Sequence, residues 1–219
     1  MVAAAIFSAA VEIASIVSPV RRLRTLPESV EAKEDGTEFG ILTDDQVLLR
    51  PVAEADLPIL ERFMTDPEAI GPYQWNGWQP PGRFRRGWAE NGLLGDEGGY
   101  LLVVRGAEVL GFVAWRRIQS GRTSYCWNIG IGLFPEARGQ GFGTRAQLLL
   151  VRYLFAHTQM IRIEAGTEVD NLAEQRALAK VGFTREGVAR AYAFRDGGWR
   201  DVVFYSLLRD EVSSAGESG

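Results

Sequence analysis

Cysteine and histidine are almost missing from this 219-residue chain, which has one of each, Cys126 and His157. A single cysteine allows no intrachain disulfide and points to no oxidising compartment, so a cytoplasmic setting is expected. Zinc sites built from Cys and His, and nucleophile–imidazole relays, have almost nothing to draw on. No acidic loop has cation-ligand spacing either, so no metal is expected. Positive charge is also in short supply. The formal net charge is −4, which argues against a nucleic-acid partner, because phosphate binding relies on Lys and Arg. Arg83, Arg85 and Arg86 still form a local basic patch. The most apolar stretch, residues 2–20, carries Glu12 near its middle and no Lys or Arg ahead of it. It is expected to be neither a membrane span nor a signal peptide.

What the amino-terminal stretch does contain is a period. Ile6, Ala10, Ile13 and Val17 fall on one helical face, which predicts an accessory helix with a candidate homodimer surface. A frayed extension fits the same residues. Residues 21–46 hold Arg21, Arg22, Pro27, Gly36 and several acids without an apolar period, and read as a linker. The predicted organisation is an arm and linker at 1–46, one domain at 47–211, and a tail at 212–219.

Within the domain, residues 47–50 read as a strand. Asp56 is placed to cap a helix bearing Leu57, Leu60, Phe63 and Met64 on one face. Residues 71–82 are rich in Gly and Pro and carry Tyr73, Trp75 and Trp78. Such rings either line a binding site or tuck onto the core. Strands then dominate. Residues 100–104 and 109–117 predict a hairpin, and residues 125–134 a longer strand stopped by Pro135. A glycine loop leads to a helix over about 144–158, a strand at 161–165, a helix at 172–181, and a hairpin turning at 196–198. A meander running into a strand–helix–strand crossover predicts an α/β fold of the α+β kind, with a mixed, mostly antiparallel sheet flanked by helices.

The strongest chemical signal lies where the long strand meets its helix. Ala146, Leu149, Leu150, Tyr153 and Leu154 mark that helix's apolar face, so it begins just after Gly139, Gly141 and Gly143. A helix start offers unpaired N–H groups and partial positive charge, which suit a diphosphate. Glycines let the backbone approach such a ligand closely, and Arg138 can add a charged contact. The Walker pattern fails, because Gly143 is followed by Thr144 and Arg145. The dinucleotide fingerprint fails at Thr144, and a meander rather than a βαβ unit precedes the loop. A glycine-rich turn without a ligand is the plain alternative.

Arg138-Gly139-Gln140-Gly141-Phe142-Gly143 resembles the R/Q-x-x-G-x-G/A motif of the GNAT N-acetyltransferase superfamily. Gly130 to Pro135 resembles that family's bulged strand, and Asn171 through Gly182-Phe183 resembles its branch acting on ribosomal-protein N-termini. The resemblance covers residues 47–211. It implies a GNAT-type fold that takes acetyl-CoA, or another acyl-CoA, as co-substrate. It also implies acyl transfer to a primary amine by direct attack on the thioester, the acceptor being a small molecule or a peptide N-terminus. The implied coenzyme contacts are Leu133, Phe134, Arg138, Gly139, Gly141, Phe142, Gly143, Thr144, Asn171 and Arg176, and the implied acceptor contacts are Tyr73, Trp75 and Trp78. The family's Tyr seven residues after the Asn is Leu178 here, and a frequent carboxylate is Asn128. Those two departures also fit a non-catalytic acyl-CoA-binding module. For catalysis, Glu164 is the candidate base, with ion pairing to Arg162 or Arg145 as its alternative. Asn171 is a candidate for the pantetheine or a water, and also a plain helix cap.

Overall fold

A computed structural model describes residues 47–80 and 82–214. The predicted arm, linker and dimer face therefore lie outside the described residues, as does the end of the tail. The elements in order are β1 (Leu48–Pro51), α1 (Leu57–Thr65), α2 (Pro67–Ile70), α3 (Arg83–Asn91), β2 (Leu94–Gly95), β3 (Gly98–Arg105), β4 (Glu108–Gln119) and β5 (Tyr125–Leu133). Then come α4 (Phe142–His157), β6 (Arg162–Glu168), α5 (Leu172–Val181), β7 (Thr184–Arg195), β8 (Gly198–Leu208) and α6 (Arg209–Ser214). The strands form one sheet in the order β1-β3-β4-β5-β6-β8-β7, with β2 paired to β3. Among the described strands only the β5–β6 pair is parallel, because α4 carries the chain back across the sheet between them.

Helices cover both faces, which explains the unbroken apolar runs of the central strands. Leu101, Val103, Val113, Ile129 and Ile131 pack with Ala146, Leu149, Leu150 and Leu154 of α4. Leu102, Val104, Phe112 and Ala114 pack on the opposite side with Leu57, Leu60, Phe63 and Phe84 of α1 and α3. The final hairpin closes on Asp196 and Gly197, both at positive φ (47° and 73°), the Asp-Gly chemistry a two-residue hairpin turn requires. Beyond the end of α4, the Arg209 guanidinium donates to the Phe155 carbonyl, which the last helical turn leaves without a backbone donor, and to the Met160 carbonyl in the loop that follows.

Four local expectations need correction. Helix α4 starts at Phe142, two residues earlier than its apolar period suggests, with Gly141 as N-cap at φ 84°. Asp56 does not cap α1. Its carboxylate accepts from both terminal nitrogens of Arg50 and from the Ala53 N–H, and Arg50 holds it below the usual carboxylate range. The β4–β5 register runs without a break from Gly111↔Leu133 to Gln119↔Tyr125, so β5 carries no bulge. Gly132 is there for close approach instead: a Cβ would stand 2.6 Å from the Phe112 ring. Finally, α3 occupies a segment read only as a basic cluster.

Candidate active site

Strands β5 and β6 pair only at Trp127↔Ile163 and Asn128↔Glu164. Past Asn128 they part: β5 continues to Leu133 bonded only to β4, and β6 to Glu168 bonded only to β8. The parting opens a cleft through the sheet. Its lining draws Phe63, Tyr73, Trp75, Arg116 and Tyr192 from one face and Thr167, Asn171 and Glu174 from the other, with Ile129, Gly130 and Ile131 along the free edge of β5.

The glycine loop lies at the start of α4. Gly139 and Gly141 are at φ 74° and 84°, and a Cβ on either would meet nothing within 4 Å. Both therefore need glycine for their backbone conformation, and both front open space. Gly143 differs. It lies inside α4, and a Cβ there would contact Leu133 at 3.5 Å, an ordinary distance. The first-turn N–H groups, at Phe142, Gly143 and Thr144, have no intrahelical acceptor, so the loop fits a diphosphate. The Phe142 side chain is core, buried under the Arg105 guanidinium.

Other expected contacts fall differently. The Arg138 guanidinium donates to the carbonyls of Leu133 (2.9 Å) and Ala69 and packs on Gly71. It clamps α2 to the end of β5 and is already engaged with carbonyl oxygens. The Leu133 carbonyl is taken by Arg138, and the Phe134 N–H donates to Leu110. Neither residue lines the cleft, and Phe134 stacks on Phe63 at 4.3 Å. The free strand edge lies upstream, where the Ile131 carbonyl accepts from the Gln74 amide. Arg176 is exposed on α5.

Among the aromatic-loop residues, Tyr73 and Trp75 line the cleft, and the Tyr73 hydroxyl donates to the Asp170 carbonyl at 3.1 Å. Trp78 does not. It is 74% exposed and meets Trp75 edge to face at 5.1 Å, so it braces the loop from outside.

Glu164 is also misplaced for its expected role. Its carboxylate accepts from Arg162 Nε at 2.7 Å, and Arg162 reaches on to Glu186 at 3.1 Å. It is absent from the cleft lining, so the ion-pair alternative holds. Cys126 offers no nucleophile in its place, since burial and the neighbouring Glu164 push its thiol up to about 12. Asn171 caps α5, accepting from the Glu174 N–H at 3.3 Å and donating to Thr167 at 2.9 Å, while it also borders the cleft. Leu178, at the family Tyr position, is wholly buried in the core.

Two carboxylates do line the cleft, and neither was expected to. Glu168 is buried against Arg195, which balances its charge. Glu174, in the first turn of α5, has only an amide: Gln147 Nε2 donates to it at 3.3 Å. Burial pushes the Glu174 carboxyl up to about 7, with the Gln147 amide pulling weakly the other way. A carboxyl that holds its proton to neutrality can give it to a leaving group. The sequence carried one signal for it. Gln147 stands on the buried face of α4 among apolar neighbours, and it is 1% exposed; a buried amide needs a polar partner.

Residues 46–184 match the family described as Acetyltransferase (GNAT) domain. The chain belongs to that family. Among curated relatives, the probable N-acetyltransferase YjcK of Bacillus subtilis is 37% identical over 83 residues, covering 38% of this chain and 46% of that protein. The [ribosomal protein uS5]-alanine N-acetyltransferase of Escherichia coli is 29% identical over 100 residues, covering 46% of this chain and 51% of that one. In these two matches the chain spans about half the relative's length. Among solved structures, spermidine N-acetyltransferase from Vibrio cholerae in complex with CoA and spermine superposes with a TM-score of 0.67 at 18% identity, covering 77% of this chain and 98% of that one. The expected GNAT fold is thereby established.

Proposed function

We propose that this chain is an N-acyltransferase that moves an acetyl group from acetyl-CoA to a primary amine by direct attack on the thioester. One observation carries the reading: the one parallel strand pair among the described residues opens into a cleft lined by Ile131, whose side chain neighbours Gly143 in the first turn of α4. A diphosphate seated on the first-turn N–H groups directs the rest of the coenzyme into that cleft. The edge of β5 at Ile129–Ile131, which β6 leaves unpaired, then offers backbone groups to the pantetheine arm in place of Leu133 and Phe134, the Gln74 amide giving up the Ile131 carbonyl.

The acceptor enters from the face carrying Tyr73, Trp75 and Arg116. As its neutral amine attacks, the N–C bond forms and the C–S bond breaks. Glu174, on the coenzyme side, gives its proton to the departing thiolate. The acceptor nitrogen releases its surplus proton to solvent, and Glu174 is reprotonated from there. Free-thiol release from acetyl-CoA, followed with and without added amines, tests the proposal: release must depend on both substrates. Hydrolysis that ignores the amine, or binding with no release, would contradict it.

A further inference from the structure

The acceptor side of the cleft has a charge pattern that narrows the amine, given the N-acyltransferase reading above. Two cations line it, Arg83 at the start of α3 and Arg116 on β4. The carboxylates among the described lining residues are Glu168, already matched by Arg195, and Glu174, which keeps its proton to about 7. This side therefore presents arginine and no open carboxylate. A polycationic acceptor would meet repulsion here.

Arg116 also stands in a telling place. It pairs across the strands with Asn128, to whose side-chain oxygen its Nε donates at 3.4 Å. Asn128 is the last residue of β5 to pair with β6 before the strands part. The guanidinium is thus one strand away from the apex of the cleft, where a thioester carried along the β5 edge would end.

The surroundings make that guanidinium a selective one. Burial pulls the Arg116 pKa down, with the Tyr192 and Tyr100 phenols opposing, so the charge is held partly out of water. Tyr192 is aimed into the cleft by an irregular stretch of β7. Between the pairs Ala189↔Val202 and Ala193↔Arg200, three residues of β7 face the single residue Asp201 of β8. Ala191 at the centre has φ 49°, and its N–H donates to the Asp201 carboxylate at 2.8 Å. Strained backbone and bulges of this kind re-aim side chains at binding sites.

We infer that the acceptor is a small amine that also bears a carboxylate, which Arg116 receives beside the cleft apex with Arg83 adding positive potential. A guanidinium suits such a group because its planar fork meets a carboxylate in two parallel hydrogen bonds.

The experiment uses matched acceptors: phenylalanine against phenethylamine, leucine against isoamylamine, with a dipeptide amide that has a free α-amine and no carboxylate, and spermidine, alongside. Acetyl-CoA binding is measured calorimetrically in parallel. The expected result is a kcat/KM preference of about tenfold to a hundredfold for the carboxylate-bearing member of a pair, in line with charge-assisted bonding. Arg116→Gln is expected to remove the preference, lowering turnover of the amino acid by at least about tenfold more than that of the matched plain amine. Arg116→Lys retains part of it. Equal use of both members, better use of spermidine or the dipeptide amide, or equal loss on both members in Arg116→Gln would overturn the inference. So would acetyl-CoA binding with no turnover of any carboxylate-bearing amine. Failure to bind acetyl-CoA at all would overturn the N-acyltransferase reading beneath it as well.

Discussion

Gln147 on α4 donates to the Glu174 carboxylate on α5 at 3.3 Å, while the same amide's Oε1 is buried with no donor facing it. Protonating Glu174 supplies that missing donor, and an acid–amide pair then satisfies both groups. The contact spans two helices and sits at the edge of the cleft. It links the folding stability of the chain to the chemistry proposed for it.

The first prediction concerns stability against pH. The folded Glu174 pKa is about 7, above its ordinary 4.5. Below the ordinary value the group is protonated in both states and costs nothing. Between the two values the unfolded chain releases a proton that the folded chain retains, so stability falls as pH rises. Above about 7 the full cost remains, on the order of 3 kcal/mol. Glu174→Gln keeps a donor toward Gln147 and removes the charge. Its Tm is expected to exceed wild type by several degrees at pH 8 and by much less at pH 5, read by thermal unfolding. An equal shift at both pH values would contradict the raised pKa.

The same variant bears on catalysis. If Glu174 donates to the thiolate, wild-type kcat at saturating acetyl-CoA declines as pH rises through about 7. Glu174→Gln is expected to lose roughly 10²-fold in kcat, together with that limb. Glu164→Gln is expected to stay within a few-fold, because its carboxylate is held by Arg162 outside the cleft. A large loss at Glu164 with none at Glu174 would reverse the assignment.

Arg138 separates a structural cation from a coenzyme contact. Arg138→Met leaves the Leu133 and Ala69 carbonyls without this donor, at a cost of about 1 to 3 kcal/mol. Tm should fall clearly, while acetyl-CoA affinity changes less than about tenfold. An affinity collapse at unchanged Tm would place the guanidinium on the diphosphate.

Much of this was legible from the residues. Helix α5 spans the predicted 172–181 behind its Asn171 cap, and the last hairpin turns on Asp196 and Gly197. Local chemistry fixes such features. Helix α3 was missed because Gly82 at its N-cap offers no side-chain cap and Phe84 is its one fully buried residue, which leaves no clear apolar stripe. The choice between Glu164 and Glu174 was not legible either. It depends on where β5 and β6 part and on which side chain of α4 faces α5, and neither follows from the period of any single element. Asn171 caps α5 without a reciprocal bond from Glu174, because the Glu174 carboxylate turns to Gln147 while the Asn171 N–H goes to the Glu168 carbonyl.

The most direct test of the central claim is amine-dependent thiol release from acetyl-CoA, with wild type, Gly141→Asp and Gly143→Ala side by side. Gly141 fronts open space at φ 84°, whereas a Cβ at Gly143 makes only ordinary contact. An aspartate at 141 brings both backbone strain and a negative charge to the proposed diphosphate seat, whereas alanine at 143 adds one methyl group inside a helix. The account predicts release in wild type, release within a few-fold of it in Gly143→Ala, and neither binding nor release in a folded Gly141→Asp. Acetyl-CoA binding without release in wild type, or undiminished release in Gly141→Asp, would contradict it.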